Sequence, residues 1–269
     1  MKAYAKLNLA LVVGPLRADG KHQVATVLQA IDLHDNVDVE PASALSIQGF
    51  PDDTLVRSAL ETLGAAAGVE SHWRAVIEKR IPVAAGLGGG SADAAAALRL
   101  VNALLPEPLS ETDLHDLAAG IGADVPFFLA GGPHLGTGDG TVLEPLELPG
   151  GYVVVLVLPE GESKESTASV YRAFDARRGY DGFAKREATL REALATVRGA
   201  TDLARLPRND LVSSPLAAEL ARLGAFRADV TGAGPAVYGL FEQEQRAHEA
   251  ADALSRAGGV FVTRPVGNA

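Results

Sequence analysis

The stretch PVAAGLGGGSAD, at residues 82–93, joins a glycine-rich loop to the start of an alanine-rich helix. Four glycines in the five positions 86–90 remove the Cβ atoms that would hold a ligand away from the backbone. A helix that begins directly afterwards presents free amide N–H groups and the positive end of its dipole to the same place. The stretch therefore predicts a phosphate-binding site, in which Ser91 supplies a hydroxyl for a phosphate oxygen or a bound Mg²⁺ ion.

The loop has an alternative interpretation as a flexible turn ahead of a helix. It lacks the Lys-Ser/Thr ending of a P-loop, and its glycines do not follow the dinucleotide-binding pattern G-x-G-x-x-G. Its position directly before the helix predicted at residues 91–105 favours phosphate binding over the turn.

Two segments carry candidate catalytic side chains. Residues 4–13 alternate in polarity and predict a strand with Lys6 and Asn8 on one face, because side chains two positions apart in a strand point the same way. At residues 122–128, Asp124 lies between a glycine turn and an apolar cluster. A carboxylate that is partly buried beside a cation stays ionised and accepts a hydroxyl proton. Asp124 is thus a candidate base with Lys6 as its cation; the alternative for Asp124 is a cap of a local turn or helix.

Two further turns are candidates for ligand contacts. Residues 231–235, TGAGP, form a second tight glycine turn that would bring backbone close to the substrate or to the first loop; a hairpin turn is the alternative. Residues 17–22, RADGKH, form a polar turn that ends in His22, which could recognise a substrate by hydrogen bonds. The other histidines lack metal-ligand spacing, so no resident metal site is predicted from them.

Length and composition narrow the class of protein. The 269 residues are enough for one large domain or two modest ones, and 47% hydrophobic with 22% charged residues is ordinary for a globular enzyme. A net charge of −10 disfavours nucleic acid and anionic membranes as partners. The absence of cysteine excludes disulfides and thiolate chemistry. With no signal-peptide pattern and no apolar run of about 20 residues, a cytoplasmic location is expected.

Strands and helices are predicted in irregular order, which favours an α+β fold over a doubly wound sheet. The triplet Pro149-Gly150-Gly151 is the best candidate for a domain boundary, which gives domains at 1–150 and 151–269.

Three motifs in sequence order, at residues 5–9, 82–95 and 231–234, resemble those of the GHMP kinase superfamily of galactokinase, homoserine, mevalonate and phosphomevalonate kinases. The resemblance spans residues 3 to about 241. It implies a ribosomal-S5-like N-terminal domain with the ATP-phosphate loop and the catalytic residues, a ferredoxin-like C-terminal domain, and the use of ATP and Mg²⁺.

The segments at residues 17–22 and 122–128 narrow the resemblance within the superfamily. They imply phosphorylation of the 2-hydroxyl of 4-diphosphocytidyl-2-C-methyl-D-erythritol, in non-mevalonate isoprenoid precursor biosynthesis. One alternative is another GHMP small-molecule kinase, of the homoserine or mevalonate type; His22 in its Arg-Ala-Asp-Gly context argues against it. The other is a non-catalytic GHMP-fold ligand-binding protein, against which the presence of Lys6 and Asp124 argues. A small-molecule substrate and a monomer or homodimer are expected.

The resemblance also implies roles for individual residues. Asp124 is the base and Lys6 its partner. The family usually has tyrosine at the position of Lys21, where the aromatic ring is expected to stack on cytosine; Tyr171 matches a second aromatic position and is expected to hold the base. The ATP-binding residues are Lys79, Pro82, Ala85, Gly86, Leu87, Gly88, Gly89, Gly90 and Ser91. The substrate-binding residues are Asn8, Lys21, His22, Thr167, Tyr171, Gly232 and Gly234.

Overall fold

The computed structural model describes residues 1–50, 53–161 and 166–267, which form two compact units. The first unit consists of Met1–Ala5, Leu33–Val83 and Gly88–Gly131; the second consists of Lys6–Asp32, Ala84–Leu87 and Gly132–Ala269. Neither unit is a continuous piece of sequence, and the glycine-rich loop contributes residues to both. The predicted domain boundary near residue 150 stays a prediction.

In the described part of the first unit, helices pack with short strands. The elements of this unit are β1 (Lys2–Leu16) and β2 (His22–Pro41), both shared with the second unit, β3 (Ser46–Gln48), α1 (Thr54–Ala67), β4 (Trp73–Glu78), α2 (Gly89–Asn102), α3 (Glu111–Ile121) and α4 (Val125–Ala130). The part of β2 that belongs to this unit pairs antiparallel with β4, and β3 pairs with β4 in parallel. Helix α1 begins where the buried Asp53 accepts a hydrogen bond from the amide of Val56, and it ends at Gly68 in the left-handed conformation.

The strands of the second unit's described part fall into separate groups. The elements of this unit that follow α4 are β5 (His134–Gly138), β6 (Val142–Pro145), β7 (Val153–Pro159), α5 (Thr167–Ala176), α6 (Phe183–Thr196), a 3₁₀-helix (Ala200–Arg205), α7 (Pro215–Arg222), β8 (Arg227–Val230), β9 (Val237–Phe241), α8 (Glu244–Ala253) and β10 (Gly258–Thr263). Residues 24–28 of β2 pair with β5, and β5 pairs with β6. A separate antiparallel sheet has the strand order β10-β7-β9-β8, and α7 and α8 contribute to its apolar core.

The mixture of helices and antiparallel strands confirms the predicted α+β class. Strand β2 is continuous from His22 to Pro41, because polar positions such as Asp32 are accommodated at exposed sites along it. Helix α7 begins at Pro215, because Ser214 caps its first turn and proline is favoured at the first helical position.

Across residues 1–50, 53–161 and 166–267, every helix is too short or too polar to span a bilayer.

Candidate active site

The glycine-rich loop leads into α2 in a way that leaves the N-terminus of the helix open. Gly88 takes the N-cap position with φ 73°, in the left-handed region, and has no side chain with which to cap the amide groups that follow. A Cβ atom on Gly89 would lie 3.0 Å from Ile81 Cγ2 and 3.2 Å from Lys79 Nζ. Glycine therefore keeps space open at the end of α2, where a phosphate can reach the amide N–H groups.

Lys79 anchors this end of α2 through two buried carboxylates. Its Nζ donates to Asp35 Oδ2 at 2.6 Å and to Asp93 Oδ2 at 2.8 Å. Asp35 Oδ1 accepts from the amides of Arg80 and Ile81, whereas Asp93 Oδ1 has no hydrogen-bond partner within the described ranges. Burial raises the pKa of Asp93 to about 7, against the opposing effect of Lys79. Burial also opposes the charge of Lys79, yet the hydrogen bonds to the two carboxylates raise its pKa above the ordinary value.

Asp124 lies in the first unit together with Ser91. A Cβ atom on Gly122, two residues before Asp124, would be 4.0 Å from Ser91 Oγ, so the segment that carries the candidate base passes close to the start of α2. Asp124 occupies the N-cap position of α4, but its side chain makes no capping hydrogen bond there. A helix-capping role for this half-buried carboxylate is therefore not supported by the geometry.

Lys6 and Asn8 share one face of β1, as their spacing predicts. Both are almost fully buried, and Lys6 Nζ donates to Asn8 Oδ1 at 2.5 Å. The other side of the Asn8 amide, Nδ2, donates to Thr26 Oγ1 at 2.7 Å, and this hydroxyl donates to the carbonyl of Ala10 at 2.8 Å. The backbone amide of Lys6 donates to the carbonyl of Leu87 in the glycine-rich loop at 2.9 Å. Hydrogen bonds thus connect the lysine, the asparagine and the loop.

The second glycine turn meets the first loop within the second unit. The backbone amide of Asn8 donates to the buried Thr231 Oγ1 at 3.0 Å, and this oxygen lies 3.4 Å from the carbonyl of Gly86. Gly86 has φ +86°, and a Cβ atom there would lie 2.4 Å from the carbonyl oxygen of Thr231, so any other residue would collide with the turn. A Cβ atom on Gly232 would lie 3.1 Å from the carbonyl oxygen of Gly86. The expected approach of the two glycine turns is confirmed.

Asn209 supports the second glycine turn, a role that the sequence did not indicate. Its Nδ2 donates to the carbonyls of Val230 at 3.0 Å and Gly232 at 2.7 Å. Its backbone amide donates to Asp229 Oδ2, and its Oδ1 accepts from the amide of Leu211. Because the contacts with Asp229, Val230 and Gly232 join positions 20 to 23 residues apart, no local pattern at Asn209 indicates them.

His22 and Tyr171 come together in the second unit. Their ring centroids are 4.9 Å apart with an interplanar angle of 31°. His22 Nδ1 lies 2.8 Å from the carbonyl oxygen of Gly14, and Nε2 lies 3.3 Å from Asp175 Oδ2. Thr167 begins α5, the helix that also carries Tyr171 and Asp175. The contacts at both ring nitrogens hold the imidazole in one orientation.

Lys21, where the family usually has tyrosine, is paired with a residue that the sequence did not indicate. Its Nζ donates to Asp139 Oδ2 at 2.7 Å in the turn between β5 and β6, and Thr141 Oγ1 donates to Asp139 Oδ1 at 2.7 Å. Burial alone would raise the pKa of Asp139, but the hydrogen bonds from Lys21 and Thr141 outweigh it and hold the pKa at about 2. Half of the Lys21 side chain remains exposed.

The predicted site residues are therefore distributed over both units. The first unit holds Lys79, Pro82, Gly88, Gly89, Gly90, Ser91 and Asp124; the second holds Lys6, Asn8, Lys21, His22, Ala85, Gly86, Leu87, Thr167, Tyr171, Gly232 and Gly234. Within the described residues, no group of three or more histidines and carboxylates has the arrangement of a metal site.

Comparison with known proteins identifies the family of the chain. The profile of the GHMP kinases N terminal domain matches residues 54–132, and that of the GHMP kinases C terminal domain matches residues 209–260. The 4-diphosphocytidyl-2-C-methyl-D-erythritol kinase of Desulfitobacterium hafniense is 39% identical, over 93% of this chain and 90% of its own length. The protein of the same name from Gloeobacter violaceus is 38% identical over 96% of this chain and 90% of its own length.

Comparison with solved structures indicates the same family. The crystal structure of a 4-(cytidine 5'-diphospho)-2C-methyl-D-erythritol kinase is 33% identical and covers 100% of this chain and 99% of its own, with a TM-score of 0.80. A mevalonate kinase structure is 14% identical, covers 100% and 99% of the two chains, and has a TM-score of 0.78, which shows a shared fold alone. From its two matching domains and its relatives, the chain belongs to the 4-diphosphocytidyl-2-C-methyl-D-erythritol kinases of the GHMP kinase superfamily.

Proposed function

We propose that the chain transfers the γ-phosphoryl group of ATP to the 2-hydroxyl of 4-diphosphocytidyl-2-C-methyl-D-erythritol, in non-mevalonate isoprenoid precursor biosynthesis. The substrate is taken from the names of the relatives. The observation that carries the phosphoryl-transfer part is the open N-terminus of α2 directly after the glycine-rich loop. The enzyme works as a monomer or homodimer in the cytoplasm, on a small molecule rather than on nucleic acid or a membrane.

The residues of the loop fit the phosphates of ATP. Glycine at positions 88, 89 and 90 lets an anion approach the backbone, and the α2 dipole favours negative charge there. Pro82, the segment 85–90 and Ser91 are assigned to ATP on this basis. Lys79 is assigned with them, because its ammonium would lie 3.2 Å from a Cβ atom on Gly89 at the same end of α2.

For Mg²⁺ the loop at residues 82–91 offers one side-chain oxygen, Ser91 Oγ. This suits the ion, because Mg²⁺ is commonly held by few protein oxygens together with substrate phosphates. Bound there, the ion would neutralise charge on the phosphates.

Asp124 is assigned as the base that accepts the proton of the substrate hydroxyl, and Lys6 as the cation that neutralises charge on the transferring group. The geometry within each unit supports these roles. The Asp124 side chain is not used to cap α4. The Lys6 ammonium donates to Asn8, and the backbone amide of Lys6 donates to the carbonyl of the loop residue Leu87. In phosphoryl transfer most of the catalysis comes from such positioning and charge stabilisation.

The second unit supplies the substrate contacts in this proposal. His22 recognises the cytosine, with its ring held between Gly14 and Asp175, and Tyr171 stacks on the base. Asn8, Lys21, Thr167, Gly232 and Gly234 contact the rest of the substrate. The ammonium of Lys21 suits the diphosphate, because half of its side chain remains exposed.

A coupled ADP-release assay tests the substrate. Turnover with the cytidylylated alcohol, and little with its non-cytidylylated analogue, homoserine or mevalonate, is the expected result. Turnover that does not depend on the cytidyl group would contradict the proposal in favour of another GHMP kinase activity.

Asp124→Asn tests the base. This variant should lower kcat by about 10³-fold or more while ATP affinity, measured by calorimetry, stays close to that of the wild type, because the amide cannot accept the proton but leaves the loop intact. Asp116→Asn, at an exposed aspartate of α3, is the matched control. If Asp124→Asn retains most of the activity, Asp124 is not the base.

A further inference from the structure

Thr26 is a buried polar residue on β2 to which the sequence analysis gave no role. Only 4% of it is exposed, and it lies opposite Gly136 of β5. A Cβ atom on Gly136 would be 3.3 Å from Thr26 Cγ2, so the methyl group packs over this glycine. The hydroxyl is engaged on its other side, where it donates to the Ala10 carbonyl at 2.8 Å and receives a hydrogen bond from Asn8 Nδ2 at 2.7 Å.

The chemistry of donors and acceptors fixes the Asn8 amide at both ends. A hydroxyl has a single proton, and Thr26 uses it on the carbonyl of Ala10, so Thr26 Oγ1 can only accept from Asn8. The ammonium of Lys6 can only donate, so it needs the oxygen end of the Asn8 amide. A reversed amide would direct N–H groups at an ammonium and would leave the hydroxyl of Thr26 without its donor.

We propose that Thr26 is a positioning residue for phosphoryl transfer, which acts through the orientation of the Asn8 amide on the direction of the Lys6 ammonium. The inference rests on the proposed function of Lys6, and it adds a residue of β2 that lies outside the glycine-rich loop. Without the Thr26 hydroxyl, the buried Nδ2 of Asn8 loses its acceptor, and the amide can turn away from Lys6.

Steady-state kinetics of Thr26→Val and Thr26→Ser separate this role from simple packing. Thr26→Val keeps the branched shape that suits a strand but lacks the hydroxyl; we expect kcat to fall about tenfold with the KM for ATP within about twofold of the wild type. Thr26→Ser keeps the hydroxyl and should retain kcat within about threefold, despite the lost methyl contact with Gly136. In an Asn8→Ala background, Thr26→Val should have no further effect, because its route to Lys6 is already removed.

Thr263 offers a matched control. It is also a buried threonine in a strand of the second unit, and its hydroxyl has no hydrogen-bond partner in the part of the chain that the structure describes. Thr263→Val should therefore behave like the wild type. The proposal is overturned if Thr26→Val keeps full activity, if Thr26→Ser loses as much as Thr26→Val, or if Thr263→Val loses as much.

Hydrogen exchange of the Asn8 side-chain amide, followed by NMR, gives a readout that needs no substrate. The amide should be protected in the wild type and in Thr26→Ser, and should exchange faster in Thr26→Val; equal protection in all three contradicts the proposal. If Thr26→Val does not fold, Thr26→Ala carries the same expectations. A wild-type protein that fails to turn over the cytidylylated alcohol refutes the proposed function, whereas an active wild type with an unaffected Thr26→Val refutes the role of Thr26 alone.

Discussion

Two lysines of the candidate site are held in different ways. Lys79, in the first unit, lies between the buried carboxylates of Asp35 and Asp93, and 15% of its side chain is exposed. Lys6, in the second unit, is 4% exposed and donates to the neutral amide oxygen of Asn8, which is itself directed by Thr26. Lys79 is thus held by two carboxylates, whereas Lys6 makes one of its contacts with a neutral amide. The first arrangement suits a lysine that fixes the start of α2 at the ATP-phosphate loop, and the second suits an ammonium that must meet charge on a substrate.

The Lys79 ammonium is surrounded by buried carboxylates, and we expect its positive charge to stabilise them in the folded protein. The carboxylates of Asp35 and Asp53 add to the burial that raises the pKa of Asp93, so several acidic groups lie near one ammonium. Asp53 is committed to the N-cap of α1, and Asp35 to two backbone amides. Removal of the ammonium would leave buried carboxylates without their cation, which is among the most destabilising changes that a core can undergo.

Replacement of this anchor should have the largest effect. Lys79→Met is expected to lower the free energy of unfolding by ~3–5 kcal/mol, because it leaves Asp35 and Asp93 buried without their cation. Urea denaturation measures the change. Asp93→Asn is the control: it keeps an oxygen for Lys79 and removes one buried charge, but it places an unpartnered amide NH2 in the core, so it should cost less than Lys79→Met, about 1–3 kcal/mol. A Lys79→Met protein as stable as the wild type would show that charge pairing does not anchor α2.

Replacement of Lys6 should lower activity much more than stability. Lys6→Met is expected to lower kcat by about 10²–10³-fold, because an ammonium assigned to the transferring group is lost. The loss in the free energy of unfolding should be smaller than that of Lys79→Met, since methionine has a similar length and fills the same space. Parallel kinetics and urea denaturation check both expectations, with Lys185→Met at an exposed site of α6 as control. A large loss of stability with unchanged kcat would reverse the roles given to the two lysines.

Lys21 forms a half-exposed ion pair with Asp139. Removal of this ion pair should have the smallest effect on stability. Asp139 has a pKa held at about 2, below the usual value near 4. A lowered pKa means that the pair stabilises the fold above about pH 4, and that this stabilisation is lost as the pH falls through about 2. Asp139→Asn should therefore lower the melting temperature by roughly 1–3 °C at pH 6, and the difference should vanish near pH 2.

Thermal unfolding of both proteins from pH 6 to pH 2 tests this expectation. Lys21→Met should reproduce the same pH dependence, because it removes the other half of the pair. A difference in melting temperature that does not change with pH would mean that the ion pair contributes nothing to stability.

Local patterns in the sequence predicted the parts of the site that depend on neighbours along the chain. The period-two spacing put Lys6 and Asn8 on one face of β1. The glycine run before an alanine-rich segment predicted a helix from residue 91, and the helix begins two residues earlier, at Gly89. Thr26, Asn209 and Asp139 were missed, because each acts on a residue between 18 and 118 positions away. Threonine in an apolar strand and asparagine in a loop carry no local signal of such long-range partners.

The link between Asn8 and Thr231 also bears on how the protein is made. The residue that accepts the backbone hydrogen bond of Asn8 is 223 positions further along the chain, which at about 5–20 residues per second of translation is roughly 10–45 s of synthesis. Residues 5–14, all buried in the folded chain, emerge from the ribosome long before this contact can form. Nascent chains must therefore keep an apolar strand from aggregating during that interval, and the surroundings of Lys6 are among the last to be completed.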